Sequence, residues 1–318
     1  MLREGLSKLL MAEIETLVAP LSDVSGFYDL VKEPLSEVRQ SLVADTTHGH
    51  AWSLLPLIVS DAICGRWEHA LPAGAGLELL KAAAEVFDDI EDADSDESLS
   101  AKYGNALANN AACALLILAE RAFTRLKSRG IDSDIVVSLI DMVNSYYTTA
   151  CTGQHLDLSL TPEEAASEDV YLRVIGMKSA SAVECACYTG ALLAGANQEL
   201  IKSFTIFGHN LGMASQIAND IKGITHMSDI KKPRITLPAI YALAQTDSET
   251  HNLLEMVFCK RNIGFVYAPG QIRDLLFSTG AIQYATIKME LYKQLATDTL
   301  IGLEHVGIKV AQLQQFLE

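Results

Sequence analysis

Cations are scarce in this 318-residue chain: 24 Lys and Arg stand against 40 Asp and Glu, a formal charge of −16. Phosphate backbones are held by basic patches, so a chain lacking them is a poor partner for nucleic acid. An anionic small substrate would need help from a metal ion. Prolines number eight and glycines 20, few enough to leave long uninterrupted segments. Period-two alternation is rare, which argues against sheets. The six cysteines (Cys64, Cys113, Cys151, Cys185, Cys187, Cys259) form no C-x-x-C pair, and Cys185 and Cys187 would point to different sides of a helix. Reduced, mostly buried thiols are expected. No apolar run reaches the roughly 18 residues of a spanning helix, and the charged, amphipathic N-terminus is no signal peptide. The expectation is a cytoplasmic protein with no transmembrane segment.

What the chain has is helical periodicity. Residues are 49% hydrophobic, enough for a large core, and apolar positions recur at helical spacing nearly throughout. The expected helices are 2–18, 23–46, 51–67, 74–93, 99–128, 133–156, 163–195, 198–223, 235–245, 247–259, 269–279 and 281–316, the last broken near Gly302. No composition shift or repeat marks a linker, so residues 1–318 read as one all-α domain.

Five acidic residues, Asp88, Asp89, Glu91, Asp92 and Asp94, crowd the end of the apolar segment that runs from Leu77 to Phe87. If the helix continues into them, Asp88 and Asp92 share a face one turn apart. Like charges at that spacing repel, and carboxylates at a helix C-terminus oppose the macrodipole. A solvated acidic turn would tolerate this; a buried one needs a cation. Magnesium takes oxygen ligands and commonly bridges a few carboxylates to substrate phosphates. A second polar stripe, Gln216, Asn219, Asp220 and Gly223, lies on one face of an equally apolar segment about 130 residues later.

These segments resemble the trans-isoprenyl diphosphate synthases, the polyprenyl synthetase family. Asp88-Asp89-Ile90-Glu91-Asp92 is similar to the first aspartate-rich motif, D-D-x-x-D; Lys102-Tyr103-Gly104 to the segment that starts the next helix; Gly153-Gln154-His155-Leu156-Asp157 to G-Q-x-x-D; Gly176-Met177-Lys178-Ser179 to the lysine-threonine motif. Gln216 to Gly223 resembles the second aspartate-rich motif, and Lys231-Lys232 through Pro238 the basic loop after it. The resemblance implies a type I isoprenoid synthase fold, a bundle of roughly 10–13 helices around an apolar cavity. It also implies Mg²⁺, three ions with substrate bound, and an allylic prenyl diphosphate as substrate. Asp88, Asp89, Asp92, Asn219 and Asp220 become the expected metal side. Asp88, Asp92, Lys178 and Asp220 become the catalytic set. Lys81, Ala83, Ala84, Gln154, Asp157, Lys178, Gln216, Lys231 and Lys232 are expected to bind substrate. Ala84 and Ala83, four and five places before the first motif, would leave the cavity floor open to a long prenyl tail. A homodimer is implied too, with Ala106 to Ala119 as a candidate face.

The departures decide which reaction to expect. Family members that elongate a chain hold isopentenyl diphosphate with a glycine-glycine-lysine-arginine stretch, a histidine before the first motif and paired arginines after it. Here the first stretch reads Thr47-His48-Gly49-His50-Ala51-Trp52-Ser53, the histidine position is Lys81, and Asp94-Ser95-Asp96-Glu97 replaces the arginines. Three cationic elements are lost together, each charge-assisted contact being worth about 1.5–3 kcal/mol. The second motif is reduced to Asn219-Asp220-x-x-Gly223. This pattern resembles the branch that prenylates a tryptophan of a bacterial pheromone peptide. The expected reaction is prenyl transfer to an indole or peptide acceptor rather than to isopentenyl diphosphate. Terpene-synthase-like cyclisation or hydrolysis, ordinary elongation and a non-catalytic regulatory subunit are the alternatives.

Overall fold

The computed structural model describes residues 2–24, 26–43, 52–92, 96–245, 248–259 and 268–318. Positions 44–51 and 93–95, on which part of the argument about lost cations rests, lie outside them. Every regular element among the described residues is helical. In chain order these are α1 (Leu2–Val18), α2 (Phe27–Val43), α3 (Leu55–Cys64), α4 (Leu71–Asp92), α5 (Leu99–Tyr103), α6 (Asn105–Thr124), α7 (Ser133–Ser159), α8 (Pro162–Ala165), α9 (Glu168–Ile175), α10 (Ser181–Leu193), α11 (Gln198–Thr225), α12 (Ser228–Lys231), α13 (Leu237–Gln245), α14 (Ser248–Phe258), α15 (Pro269–Ser278), α16 (Ala281–His305) and α17 (Ala311–Gln314).

Local chemistry sets several of these boundaries. Asp132 and Asn197 cap α7 and α11, their side chains accepting from the N–H groups of Asp134 and Leu200. Thr161 and Glu164 close a reciprocal capping box on α8. The helix expected over 99–128 breaks at Gly104, whose φ of +82° no ordinary helical residue adopts. The expected break at Gly302 falls instead after His305, where Gly307 is left-handed. The expected helix 163–195 is divided into α8, α9, a π-turn over Gly176–Ala180, and α10. A π-turn inserts one residue into the helical ladder and re-aims the side chains beyond it, often at functional sites.

The largest core joins α1, α3, α4, α6 and α10, with Leu10, Leu57, Leu79, Phe123, Phe204 and Phe207 fully buried. A smaller one around Phe258 joins α13, α14 and α15. A third, including Tyr171, Met213, Ile217 and Leu237, lies under the second polar stripe. The long α11 packs against α10 on one side and α16 on the other, and α4 against α6. By length and mean hydropathy the segment Asn105–Arg129 would span a membrane, contrary to the reading from uninterrupted runs. Its Ala108, Ala112, Leu115, Ala119 and Phe123 are buried in the core of the bundle. The cysteines also depart from expectation: Cys185 and Cys187 are buried, Cys64 and Cys259 half-buried, Cys113 and Cys151 exposed.

Candidate active site

The helix bearing the first acidic run continues to Asp92, so Asp88 and Asp92 project from its last turns. Asp88 Oδ1 accepts from Gln154 Nε2 at 2.9 Å, from α7, and lies 3.2 Å from Lys178 Nζ, in the π-turn. Gln154 Nε2 also reaches Glu91 Oε2 at 2.8 Å, and Lys178 donates to Asp157 Oδ2 at 2.8 Å. Burial alone would lower the Lys178 pKa, but Asp157 and Asp88 outweigh it and hold the ammonium above its usual value. Lys178 is therefore a firm cation bridging α4 and α7.

Gly153 explains how the π-turn comes so close. A Cβ there would lie 2.5 Å from the backbone nitrogen of Lys178 and 2.9 Å from its Cα. Only a residue without a side chain lets α7 lie directly on the turn. On one side of Gly153 in the sequence the motif supplies Gln154, and one turn on Asp157; both meet the cluster that Lys178 joins.

Asp92 is held from a different direction. The guanidinium of Arg234, in the segment between α12 and α13, donates to Asp92 Oδ2. Arg234 is not among the expected site residues; it is exposed, as Lys231 and Lys232 are. A rule that counts basic residues in a loop does not say which one reaches the end of α4.

Asp220 is the buried centre of the second cluster. It accepts from the Tyr171 hydroxyl at 2.5 Å and from Gln216 Nε2 at 2.8 Å, and Ser179 Oγ donates to Gln216 Oε1 at 2.9 Å. Burial pushes its carboxyl up to about 7; the Tyr171 and Gln216 hydrogen bonds oppose this, while the charges of Asp229 and Asp157 add to it. Burial, reinforced by Asp220, pushes the Tyr171 hydroxyl far up as well, so it stays a donor. Asp157 is felt at Asp220 and shares Lys178 with Asp88, so the two acidic clusters act within one electrostatic network. Ser179 stands in the lysine-threonine motif, whereas Tyr171 lies outside every motif of the sequence. Tyr171 lies two turns before Lys178 on the expected helix, where a tyrosine on an apolar face reads as core.

Other expected residues are placed less centrally. Asn219 is exposed and Asp89 half-buried. Lys81 pairs with Glu85 at 3.3 Å along α4. Ala83 is fully buried in the main core, and Ala84 is exposed. Successive helical residues point about 100° apart, so adjacent positions cannot line one wall equally. A cavity of about 390 Å³ lies elsewhere, lined by residues including Tyr146, Arg173, Met177, Glu184 and His209, and none of the expected site residues borders it.

Among the described residues no three His, Cys, Asp or Glu side chains converge into a ready metal cage. The donors are carboxylate oxygens on two elements, Asp88 and Asp92 contacted by basic or amide side chains from other elements and Asp220 by the Tyr171 hydroxyl and by Gln216 of its own helix. That donor chemistry suits a hard cation held jointly by protein and substrate, because magnesium keeps waters and phosphate oxygens in its shell.

The model of the polyprenyl synthetase family matches residues 38–264. A tryptophan prenyltransferase ComQ of Bacillus spizizenii is 27% identical over 77% of this chain and 84% of its own length. A geranylgeranyl diphosphate synthase of Sulfolobus acidocaldarius is 32% identical over 69% and 72%. Among solved structures, geranylgeranyl pyrophosphate synthetase from Pyrococcus horikoshii superimposes with a TM-score of 0.80 at 21% identity, covering 99% of this chain and 94% of that one. A Caulobacter crescentus polyprenyl synthase, complexed with calcium and isoprenyl diphosphate, gives 0.78 at 20% identity and the same coverage. The chain belongs to the polyprenyl synthetase family, and it is an all-α prenyltransferase.

Proposed function

We propose that this chain ionises an allylic prenyl diphosphate in the presence of Mg²⁺ and passes the prenyl group to an acceptor other than isopentenyl diphosphate, an indole of a peptide being the acceptor class. The observation that carries the diphosphate site is the crossed pairing of Asp88 with Lys178 and Asp92 with Arg234. Each of the two carboxylates at the end of α4 has a cation beside it, which provides both metal ligands and charge for departing phosphate oxygens. Asp88, Asp92 and Asp220 would hold Mg²⁺, with Asp89 and Asn219 at the edge of the two clusters. Bound there, Mg²⁺ supplies the charge withdrawal that lets diphosphate leave.

The protein's own groups do the rest. Gln154 fixes Asp88, Tyr171 and Gln216 fix Asp220, and Lys178 and Arg234 are placed to receive diphosphate oxygens as they leave the carboxylates. The segment carrying Arg234 also lies over the end of α4, where it would exclude water from a reactive allylic cation. The acceptor reading is supported by the sequence: residues 47–53 hold no lysine or arginine, and Asp94-Ser95-Asp96-Glu97 stands in place of paired arginines. It is supported too by the relatives named tryptophan prenyltransferase.

Chain elongation is the second reading, favoured by the 32% identity to a geranylgeranyl diphosphate synthase. Incubating the protein with Mg²⁺ and farnesyl or geranylgeranyl diphosphate separates the two. Adding a tryptophan-containing peptide should give a prenylated peptide, while isopentenyl diphosphate should give no product longer by five carbons. The longer product without peptide modification would refute the acceptor proposal. A homodimer belongs to the same proposal, with Leu107 and Ile117 of α6 and Val137 of α7 exposed as apolar side chains on neighbouring helices. Sedimentation or light scattering tests it.

A further inference from the structure

We infer that the cavity between α7, α9, α10 and α11 is a second binding site, built for a planar aromatic ligand that carries a ring N–H and a carboxylate. Indole-bearing carboxylates combine these features. The site lies outside the two acidic clusters, and its ligand class is read from its own walls rather than from the prenyl-transfer reading above.

The cavity holds about 390 Å³. Small-molecule sites span roughly 300–1,000 Å³ and pair apolar walls with a few placed polar groups. Here the apolar walls are Tyr146 of α7, Leu172 of α9 and Met177 of the π-turn. Arg173 lines the cavity as well, and its guanidinium has no ion-pair partner among the described residues. Anionic side chains far outnumber cationic ones in this chain, yet none answers this one. A guanidinium left open in this way can grip an external carboxylate through two parallel N–H groups.

His209 supplies the second polar contact. Its Nδ1 lies 2.6 Å from Glu184 Oε1. An ionised carboxylate only accepts, so Nδ1 carries the hydrogen and Nε2 of the neutral ring keeps a lone pair. Nε2 has no hydrogen bond among the described residues. It calls for a donor, which an aromatic N–H supplies. Glu184 and Arg173 stand about three turns of helix apart, so the two ends of the cavity differ in sign. An anion is repelled at the Glu184 end and drawn to Arg173, which leaves the ring N–H at His209.

The π-turn forms the wall shared with the acidic cluster. Ser181 N–H bonds to the Gly176 carbonyl across the widened turn, and Ser181 Oγ donates to the Met177 carbonyl at 2.6 Å. Met177 borders the cavity, while the next residue, Lys178, reaches Asp88 and Asp157. Gly176 borders it too, and a Cβ there would meet nothing nearer than Met213 Sδ at 3.8 Å. A flat ring therefore has bare backbone to lie against, one turn's thickness from the diphosphate cluster.

The test is calorimetry on the full chain with N-acetyltryptophan as the probe and its 1-methylindole counterpart, which cannot donate, as the control. The wild type should bind the probe and bind the methylated form about 3- to 10-fold more weakly, the worth of one hydrogen bond. In His209→Phe the two should bind alike. Arg173→Ala should weaken the probe about 10- to 100-fold, the worth of a charge-assisted contact, with Tm unchanged. Saturating Mg²⁺ and pyrophosphate should not displace the probe. No binding by the wild type, equal affinity in Arg173→Ala, or displacement by pyrophosphate overturns the inference. Where His209→Phe lowers Tm, Arg173→Ala decides alone. A tryptophan-containing peptide that competes with the probe identifies the acceptor as the occupant, and one that leaves the probe in place identifies a free indole carboxylate; either result supports the site. Asp88→Ala, which should end prenyl transfer, should keep probe binding, so the failure of that reading and of this one are seen separately.

Discussion

Arg234 and Asp92 are 142 positions apart in sequence, and the guanidinium of the first donates to the carboxylate of the second. The pair joins the loop after the second acidic helix to the end of the first. A cation already beside a metal-ligand candidate is placed to take up diphosphate charge. Arg234→Ala should therefore lower kcat/KM for the allylic diphosphate by about 10- to 100-fold, the equivalent of one charge-assisted contact. Lys231→Ala and Lys232→Ala, which leave the Arg234–Asp92 pair in place, should change it less than about threefold. Steady-state kinetics on the three variants checks the assignment, and equal effects would refute it.

Gly153 and Gly176 both belong to expected motifs, but their surroundings differ. A Cβ at Gly153 collides with the Lys178 backbone at 2.5 Å; at Gly176 the nearest atoms are Met213 Sδ and His209 Cε1, at 3.8 and 3.9 Å. Backbone cannot swing aside as a flexible side chain can. Gly153→Ala should cost about 1–3 kcal/mol and shift Lys178 away from Asp88, with a matching loss of turnover. Gly176→Ala should leave the denaturation midpoint nearly unchanged. Denaturant titration of both variants measures the difference.

Glu78 lies on α4, well inside the bundle. Its carboxyl is buried, its Oε1 has no hydrogen-bond partner, and desolvation raises its pKa, with Lys81 and Ser53 opposing only in part. A raised carboxyl pKa means that the stability it contributes is present at acid pH and is lost as pH rises through the folded-state value. Glu78→Gln keeps the shape and removes the ionisation. Its Tm should match wild type near pH 5 and exceed it near pH 8; a lower Tm at both pH values would show that the charged form is wanted.

The fold was largely legible because its signals are local and repeated. Apolar residues at helical spacing over long segments leave little room for another class, and the expected all-α architecture is what the chain adopts. The acidic helix ends were legible for the same reason: a run such as Asp88 to Asp92 is conspicuous in any helix. Less visible were features set by tertiary contact. The π-turn at Gly176–Ala180 breaks a segment whose pattern reads as continuous helix, and α7 lies directly on it at Gly153. The basic loop is visible as composition, but that Arg234 is the cation reaching Asp92 is a tertiary contact 142 positions away in sequence.

Asp220 couples site chemistry to pH most directly. Its carboxyl is pushed up to about 7 by burial, with Tyr171 and Gln216 holding it down and Asp229 and Asp157 raising it further. The folded protein thus holds this proton more tightly than the unfolded chain, whose aspartate titrates near its ordinary 3.8. The stabilisation is complete below about pH 4, declines as pH rises toward 7 and is flat above it, a span of at most about 4 kcal/mol. In the presence of a chelator, Asp220→Asn should flatten this part of the Tm profile and melt higher than wild type at pH 8. Binding of Mg²⁺ with pyrophosphate has the opposite demand, because a ligating carboxylate must be ionised. At pH 6.5 the wild type should therefore release a proton on binding, seen as a calorimetric heat that varies with the ionisation enthalpy of the buffer. Asp220→Asn should bind more weakly and release none from this position. A wild-type binding heat independent of buffer would mean that Asp220 is already ionised and that burial does not govern its charge.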